Sequence, residues 1–315
     1  MFDFLTEPFS YPFMQRALLE ILIVGTVCGL VGCFVVLRGL AFIGDALSHT
    51  VFPGVVLSYA AGRSIMIGAF IFGAITAIGI GVLSRSRRVS EDTAVGVIFA
   101  ALFALGVVLI SRQTGFKKDL GSLLFGNVLG VSRTDVIATL IIGTIVVAIL
   151  FALLKEFTLV AFDPTMARSA GYPVFALDVV LLLLVAATIV VSLQAIGNIL
   201  ILALIVTPPA TARLLTDRLG RMMVASVAVS LLSGVVGLLI AYHASTAAGG
   251  TIVLTATAFF VVALVAAPQH GIVTGWLQRR RGYHHAHHYH PIEEHVEARG
   301  DVSPCLNREI GRAHV

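Results

Sequence analysis

A carboxylate and an imidazole stand inside an apolar run at residues 42–54, FIGDALSHTVFPG. Asp45 and His49 are four residues apart, so on a helix they share one face, one above the other. An ionised carboxylate deep in a bilayer costs about 2.5–3.5 kcal/mol on insertion scales, and it persists where it faces a cavity, a partner or a cation. Four residues further on, Pro53 has no N–H, so the carbonyl of His49 loses its helical donor. A carbonyl freed at membrane depth is tolerated where it lines protein or water. Carboxylate with imidazole suits first-row divalent ions such as Zn²⁺, Mn²⁺ and Fe²⁺. Two ligands are too few to hold an ion tightly, but a transport path must also release what it binds. The same two residues equally read as an intrahelical pair that satisfies itself, and the residues alone leave both readings open.

Other polar positions in apolar surroundings are fewer. His243 lies beside Tyr242 in AYHASTAAGG, at the end of an apolar run, and reads as an interfacial histidine or a further metal ligand. Glu20 is one turn from Arg16 and is expected to pair with it. Asp178 is expected at a membrane end, in water. Pro208 and Pro209 free the carbonyls of Leu204 and Ile205, so the helix there should kink. With Pro53 they are the candidate hinges. The three cysteines, Cys28, Cys33 and Cys305, have no metal or redox spacing, and the first two read as small buried hydrophobes.

The elements that must hold these residues are membrane spans. Of the 315 residues, 58% are hydrophobic and only 12% charged, too little polar surface for a soluble globule. The chain is therefore expected to be all-α and polytopic, lying in the lipid bilayer. The start lacks the basic region of a signal peptide, so the first span is expected to direct insertion. Nine stretches reach the length needed, near 14–37, 40–60, 64–84, 92–111, 134–154, 174–193, 195–215, 222–242 and 250–268. Eight spans with one re-entrant segment is the alternative. With nine, and the C-terminus inside, twelve Lys and Arg fall inside against six outside. That bias predicts an outside N-terminus and a cytoplasmic C-terminus. The net charge of +4 reads as this topology signal, not as a nucleic-acid footprint. In the loop 112–133, GSLLFGNVLG reads as a short interfacial helix.

One expected cytoplasmic loop is punctuated as a short helix. Asp163 can cap it, Pro164 suits its first position, Thr165–Ala170 continue through Ala167 and Arg168, and Gly171 suits the position after its end. It reads as a docking element or a plain connector.

Residues 1–272 read as the membrane domain and 273–315 as a polar tail, expected to be disordered. The tail holds His284, His285, His287, His288, His290 and His295, a composition that binds divalent metals loosely. Residues 309–315 resemble a translated adapter and are assigned no function. No phosphate-binding loop exists, because none of the three lysines follows a glycine or precedes Ser or Thr. Any ATPase must be another chain, and the protein reads as a transport subunit, not an enzyme. The residues alone also fit a transporter driven by a proton or sodium gradient, with Asp45 and His49 as proton relay, or a non-transporting metal sensor or scaffold built on the histidine tail.

EPFSYPFMQRALLE, GCFVVLRGLAFIGDALSHTVFPGV, VSLQAIGNILILALIVTPPATARLL and GGTIVL carry a resemblance covering almost everything to about residue 268. The chain resembles the membrane permease of ABC importers for zinc, manganese or iron(II), fed by a metal-binding extracytoplasmic protein. The resemblance implies a permease homodimer on separate cytoplasmic ABC ATPases, with a coupling helix at Asp163–Gly171. It implies that Asp45 and His49 line the metal path, and that the metal is cargo, with no permanent cofactor. Many relatives carry an aspartate about where Ser245 stands; here His243 is the nearest substitute.

Overall fold

The computed structural model describes residues 7–85, 89–112 and 128–266. All fall within the first of two units, Met1–Thr274. Among the described residues there are twelve α-helices and no strand. They are α1 Pro12–Leu37, α2 Ile43–Thr50, α3 Phe52–Ala60, α4 Ile65–Ser84, α5 Glu91–Ser111 and α6 Arg133–Ala152. Then follow α7 Leu154–Phe162, α8 Pro164–Ser169, α9 Val174–Ile196, α10 Asn198–Leu215, α11 Leu219–Ala244 and α12 Ala248–Ala266. The histidine tail and most of the expected interfacial helix lie outside the described residues. Of that helix, Val128–Gly130 forms one 3₁₀ turn.

Eight of these helices are long and apolar enough to cross a membrane. The ninth expected stretch, 40–60, is not one helix: it breaks at Val51 into α2 and α3. The break follows from chemistry, because Pro53 in the first turn of α3 removes a helical donor. The broken pair still runs the length of α5. Asp45 shares a cavity with Asp92 and Gly96 near the start of α5, and Val55 shares another with Val107 and Ile110 towards its end.

The bundle is organised on α1. Its most apolar window is 72% buried, against 17% for α5, so α1 is central and α5 leaves a broad face uncovered. Helix α1 packs on α6, α9, α10 and α11, and α12 closes against α10 and α11. The helices α2 to α5 form a second group joined to the first mainly through α9. Lipid supplies no hydrophobic drive between helices, so close backbone approach must do the work. At the α1–α11 seam, the Ser226 hydroxyl donates to the Gly29 carbonyl at 2.8 Å. Cys28 and Cys33 are buried and free, as small hydrophobes would be.

The tightest approach uses a carbonyl that proline frees. Pro208 and Pro209 lie buried inside α10. Pro209 leaves the Ile205 carbonyl without its helical donor, and that oxygen lies against Gly32 of α1. A Cβ added at Gly32 would fall 2.1 Å from the Ile205 carbonyl oxygen and 2.7 Å from Pro209 Cγ. Only glycine lets the two backbones meet there.

At one end of the bundle Arg38, after α1, pairs with Asp178 of α9. Their side chains are 12% and 27% exposed, so Asp178 is not free in water as expected, but neutralises the arginine that ends α1. Arg85 and Arg168 border the same cavity, and Arg85 lies over the Phe175 ring. At the opposite end Tyr11, before α1, meets Tyr242 of α11 with ring centroids 6.3 Å apart.

Gly32→Val is expected to destabilise the protein by about 1–3 kcal/mol through overpacking. Gly96→Ala, where an added Cβ meets nothing within 4 Å, should be neutral or slightly stabilising. Thermal unfolding of the purified protein in detergent would compare the two.

Candidate metal site

Helix α2 brings Asp45 and His49 together as their spacing requires. The His49 Nε2 and Asp45 Oδ1 atoms are 3.5 Å apart. The pair does not face the core: the side chains of Asp45 and His49 are 52% and 28% exposed. The opposite face of α2, with Ile43, Leu47 and Thr50, is buried. Gly44 is buried as well and meets Leu202 and Ile205 of α10.

The imidazole is held by aromatic edges. Its ring lies 5.8 Å from Phe99 and 5.6 Å from Phe103 of α5, both at steep angles, and those two rings stack on each other at 5.8 Å. These contacts fix the ring plane without using a ring nitrogen. Phe99 and Phe103 were not legible as site residues, because one-helix-turn spacing of aromatics reads as ordinary packing. Asp45 borders a cavity of about 310 Å³ with Phe42, Asp92 and Phe99. His49 borders a second of the same size with Ser48, Phe103 and Asn198. The pair thus bridges two openings along one face, an arrangement that can pass a cation from an oxygen donor to a nitrogen donor.

His243 is not brought to this pair. It sits in the last turn of α11, exposed, with Nδ1 2.9 Å from the Leu239 carbonyl oxygen and its ring 5.3 Å from Tyr242. Helix α11 packs on α1, α10 and α12. Ser245, which ends α11, has a left-handed backbone with φ of 51°. Glu20 corrects another expectation. It is fully buried and accepts a 2.8 Å hydrogen bond from Thr139 of α6, while Arg16 turns to the Pro12 carbonyl. The expected Glu20–Arg16 pair does not form because the α1–α6 seam encloses the carboxyl.

The residues after α7 form a stiff, self-contained piece. Asp163 Oδ1 accepts from the Thr165 and Met166 N–H groups at 3.0 and 2.8 Å, capping α8. Pro164 takes the first helical position. At the other end the Gly171 and Tyr172 N–H groups reach back to the Arg168 and Ala167 carbonyls, at 3.1 and 3.0 Å, with Gly171 left-handed at φ of 84°. That is a Schellman closure, which needs glycine at this position. Ala167 is buried, whereas Met166 is 59% and Tyr172 41% exposed.

The family model described as the ABC 3 transport family matches residues 10–267. The chain belongs to the ABC 3 transport family. It is 43% identical over 278 residues to the manganese transport system membrane protein MntC of Halalkalibacterium halodurans, covering 88% of this chain and 95% of that one. It is 42% identical over 265 residues to a probable iron transport system membrane protein of Haemophilus influenzae, covering 84% and 97%. Among solved structures, PsaBC from Streptococcus pneumoniae in complex with Fab matches with a TM-score of 0.76 and 36% identity, over 88% of this chain and 99% of that one. This ABC 3 family chain is thus a multi-pass membrane permease of the metal ABC transporter type, as its motifs led one to expect.

Asp163→Ala removes both cap bonds and is expected to cost about 1 kcal/mol locally. Amides 165–170 should exchange faster with deuterium, and Asp163→Asn should largely restore protection.

Proposed function

We propose that this chain is the permease subunit of an ATP-driven importer that carries a divalent transition metal, Mn²⁺, Zn²⁺ or Fe²⁺, across a bacterial cytoplasmic membrane. The observation that carries the reading is the Asp45–His49 pair, side by side on a helix face that α5 covers only in part, each residue bordering a cavity. A half-exposed carboxylate against lipid would be costly. A second copy of the chain covering α2 and α5 would turn that outer face into an enclosed polar path, with one pair from each copy. The permease therefore works as a homodimer. The names of its relatives, manganese and iron transport membrane proteins, support the choice of cargo.

The motor is a separate cytoplasmic ABC ATPase, and α8 is its docking element. A helix capped at both ends transmits displacement without bending, and its exposed Met166, Arg168 and Tyr172 provide an apolar and basic surface for a partner. The adjoining end of the bundle carries Arg38, Arg85 and Arg168, which supports a cytoplasmic location for that end and for the C-terminus, with the N-terminus outside. An extracytoplasmic metal-binding protein delivers the ion at the opposite end, where His243 is a candidate first contact. Transport requires the two conformations to hold the ion with different affinity. Pro53, Pro208 and Pro209, each at a point where the helix ladder is incomplete, are the hinges.

Cells with the full transport system and Asp45→Asn or His49→Ala should take up radiolabelled Mn²⁺ and Zn²⁺ about tenfold more slowly, at equal membrane abundance. Uptake at the wild-type rate would remove both residues from the path, and uptake persisting without ATPase would point to an ion gradient. Met166→Glu should release the ATPase in a detergent pull-down while thermal stability of the permease stays unchanged. Retention of the ATPase would argue against docking at α8.

A further inference from the structure

Asn198 opens α10 immediately after Gly197, whose backbone, at φ of 84° and ψ of 164°, turns the chain out of α9. The residue is 4% exposed, and its side-chain oxygen Oδ1 is buried with no hydrogen-bond donor among the described residues. Burying an amide oxygen without a donor costs about 1–3 kcal/mol. The cap of α10 does not explain it, because the residue before the helix is glycine and no side chain caps it.

The place of the residue suggests what compensates this oxygen. Asn198 borders the same cavity of about 310 Å³ as His49 and Ser48. Ser48 cannot serve as donor to it in this arrangement, since its hydroxyl proton goes to the Gly44 carbonyl at 2.6 Å. His49 directs Nε2 towards Asp45. The remaining wall is apolar, with Val51, Phe52, Val55 and Phe103 among its residues. The oxygen itself is closed off behind this wall; a turn of the amide about its soft terminal torsion would bring its free lone pairs to the cavity that borders the candidate metal-binding imidazole, where they suit a cation.

We propose that the Asn198 side-chain oxygen is a third donor on the metal path, after Asp45 and His49, and that it favours Mn²⁺ or Fe²⁺ over Zn²⁺. The proposal rests on the reading that Asp45 and His49 line the path. The order along the chain of cavities is carboxylate, imidazole, amide oxygen. Mn²⁺ accepts carboxylate, carbonyl and water oxygens in a six-coordinate shell, whereas Zn²⁺ prefers nitrogen and sulfur in a tetrahedral one. A neutral oxygen also adds no charge that would trap the ion, so the site stays weak enough to release it.

The test measures initial Mn²⁺ and Zn²⁺ uptake in the same cells, with the full transport system, scaled to permease in the membrane. Asn198→Leu keeps the bulk and removes the oxygen. It should lower the Mn²⁺:Zn²⁺ uptake ratio about tenfold. Asn198→Asp, which keeps an oxygen in place, should hold the ratio at or above wild type. An unchanged ratio in Asn198→Leu overturns the proposal, whether both rates stay normal or both fall together as a packing defect would make them. Should the leucine variant fail to reach the membrane, Asn198→Ala removes the amide without adding branched bulk, and the same two results decide. Asp45→Asn is measured alongside. If it abolishes uptake while Asn198→Leu leaves the ratio unchanged, only this proposal fails; if Asp45→Asn is also silent, the path itself is wrong.

Discussion

Hydrocarbon offers no hydrogen bonds and no solvation for charge, so each polar group in the bundle must find its partner in protein. Backbone groups do so by forming helices. Hydroxyl side chains do so by bonding back one turn, as Ser48 does to Gly44, Thr76 to Phe72 and Thr188 to Leu184. Arg38 and Asp178 neutralise one another at the bundle end, and Thr139 serves the buried Glu20. Against this near-complete matching, the exceptions stand out. Asp45 keeps a half-exposed carboxylate, and among the described residues Asn198 Oδ1, Ser230 Oγ, Glu156 Oε2 and the second oxygen of Glu20 are buried without a hydrogen-bond partner. Asn198 borders the cavity that His49 borders, and Asp45 borders the neighbouring one, so part of the unmet polar demand of the fold lies beside the candidate site.

The prolines act on the same constraint. Each removes a donor, and the fold answers each differently. At Pro53 the helix is interrupted, and α2 and α3 turn separate faces to α5. Within α10 the helix continues through Pro208 and Pro209, and the freed Ile205 carbonyl meets the bare backbone of Gly32. Between these points α9 runs unbroken over 23 residues, about 34 Å at 1.5 Å per residue. One of its ends adjoins the doubly capped α8, and the other leads through Gly197 to Asn198. A single unbroken helix therefore joins the end of the bundle beside α8 with the end whose cavity borders His49.

Much of this was legible in the residues because it depends on short-range periodicity. Apolar runs of span length declared the all-α membrane fold. The spacing of Asp45 and His49 declared a shared helix face, and Asp163, Pro164 and Gly171 marked both ends of α8, since caps are local chemistry. Matching motifs over most of the chain identified the family. Local pattern could not say which face a span turns to its neighbours, because nearly every face of every span is apolar. It was therefore silent on the central place of α1 and on the open side of α5. Glu20 and Asp178 were misread for the same reason: their partners, Thr139 and Arg38, lie more than one hundred residues away in the chain. Asn198 gave no signal at all, since one asparagine at the start of a span looks like a helix opening. Sequence alone thus determined the helices, their caps and the one acid–imidazole pair, because these depend on neighbours within a turn or two. Only the tertiary structure decided which polar atoms are satisfied and which are left without a partner, because that depends on long-range packing of helices whose surfaces are chemically alike.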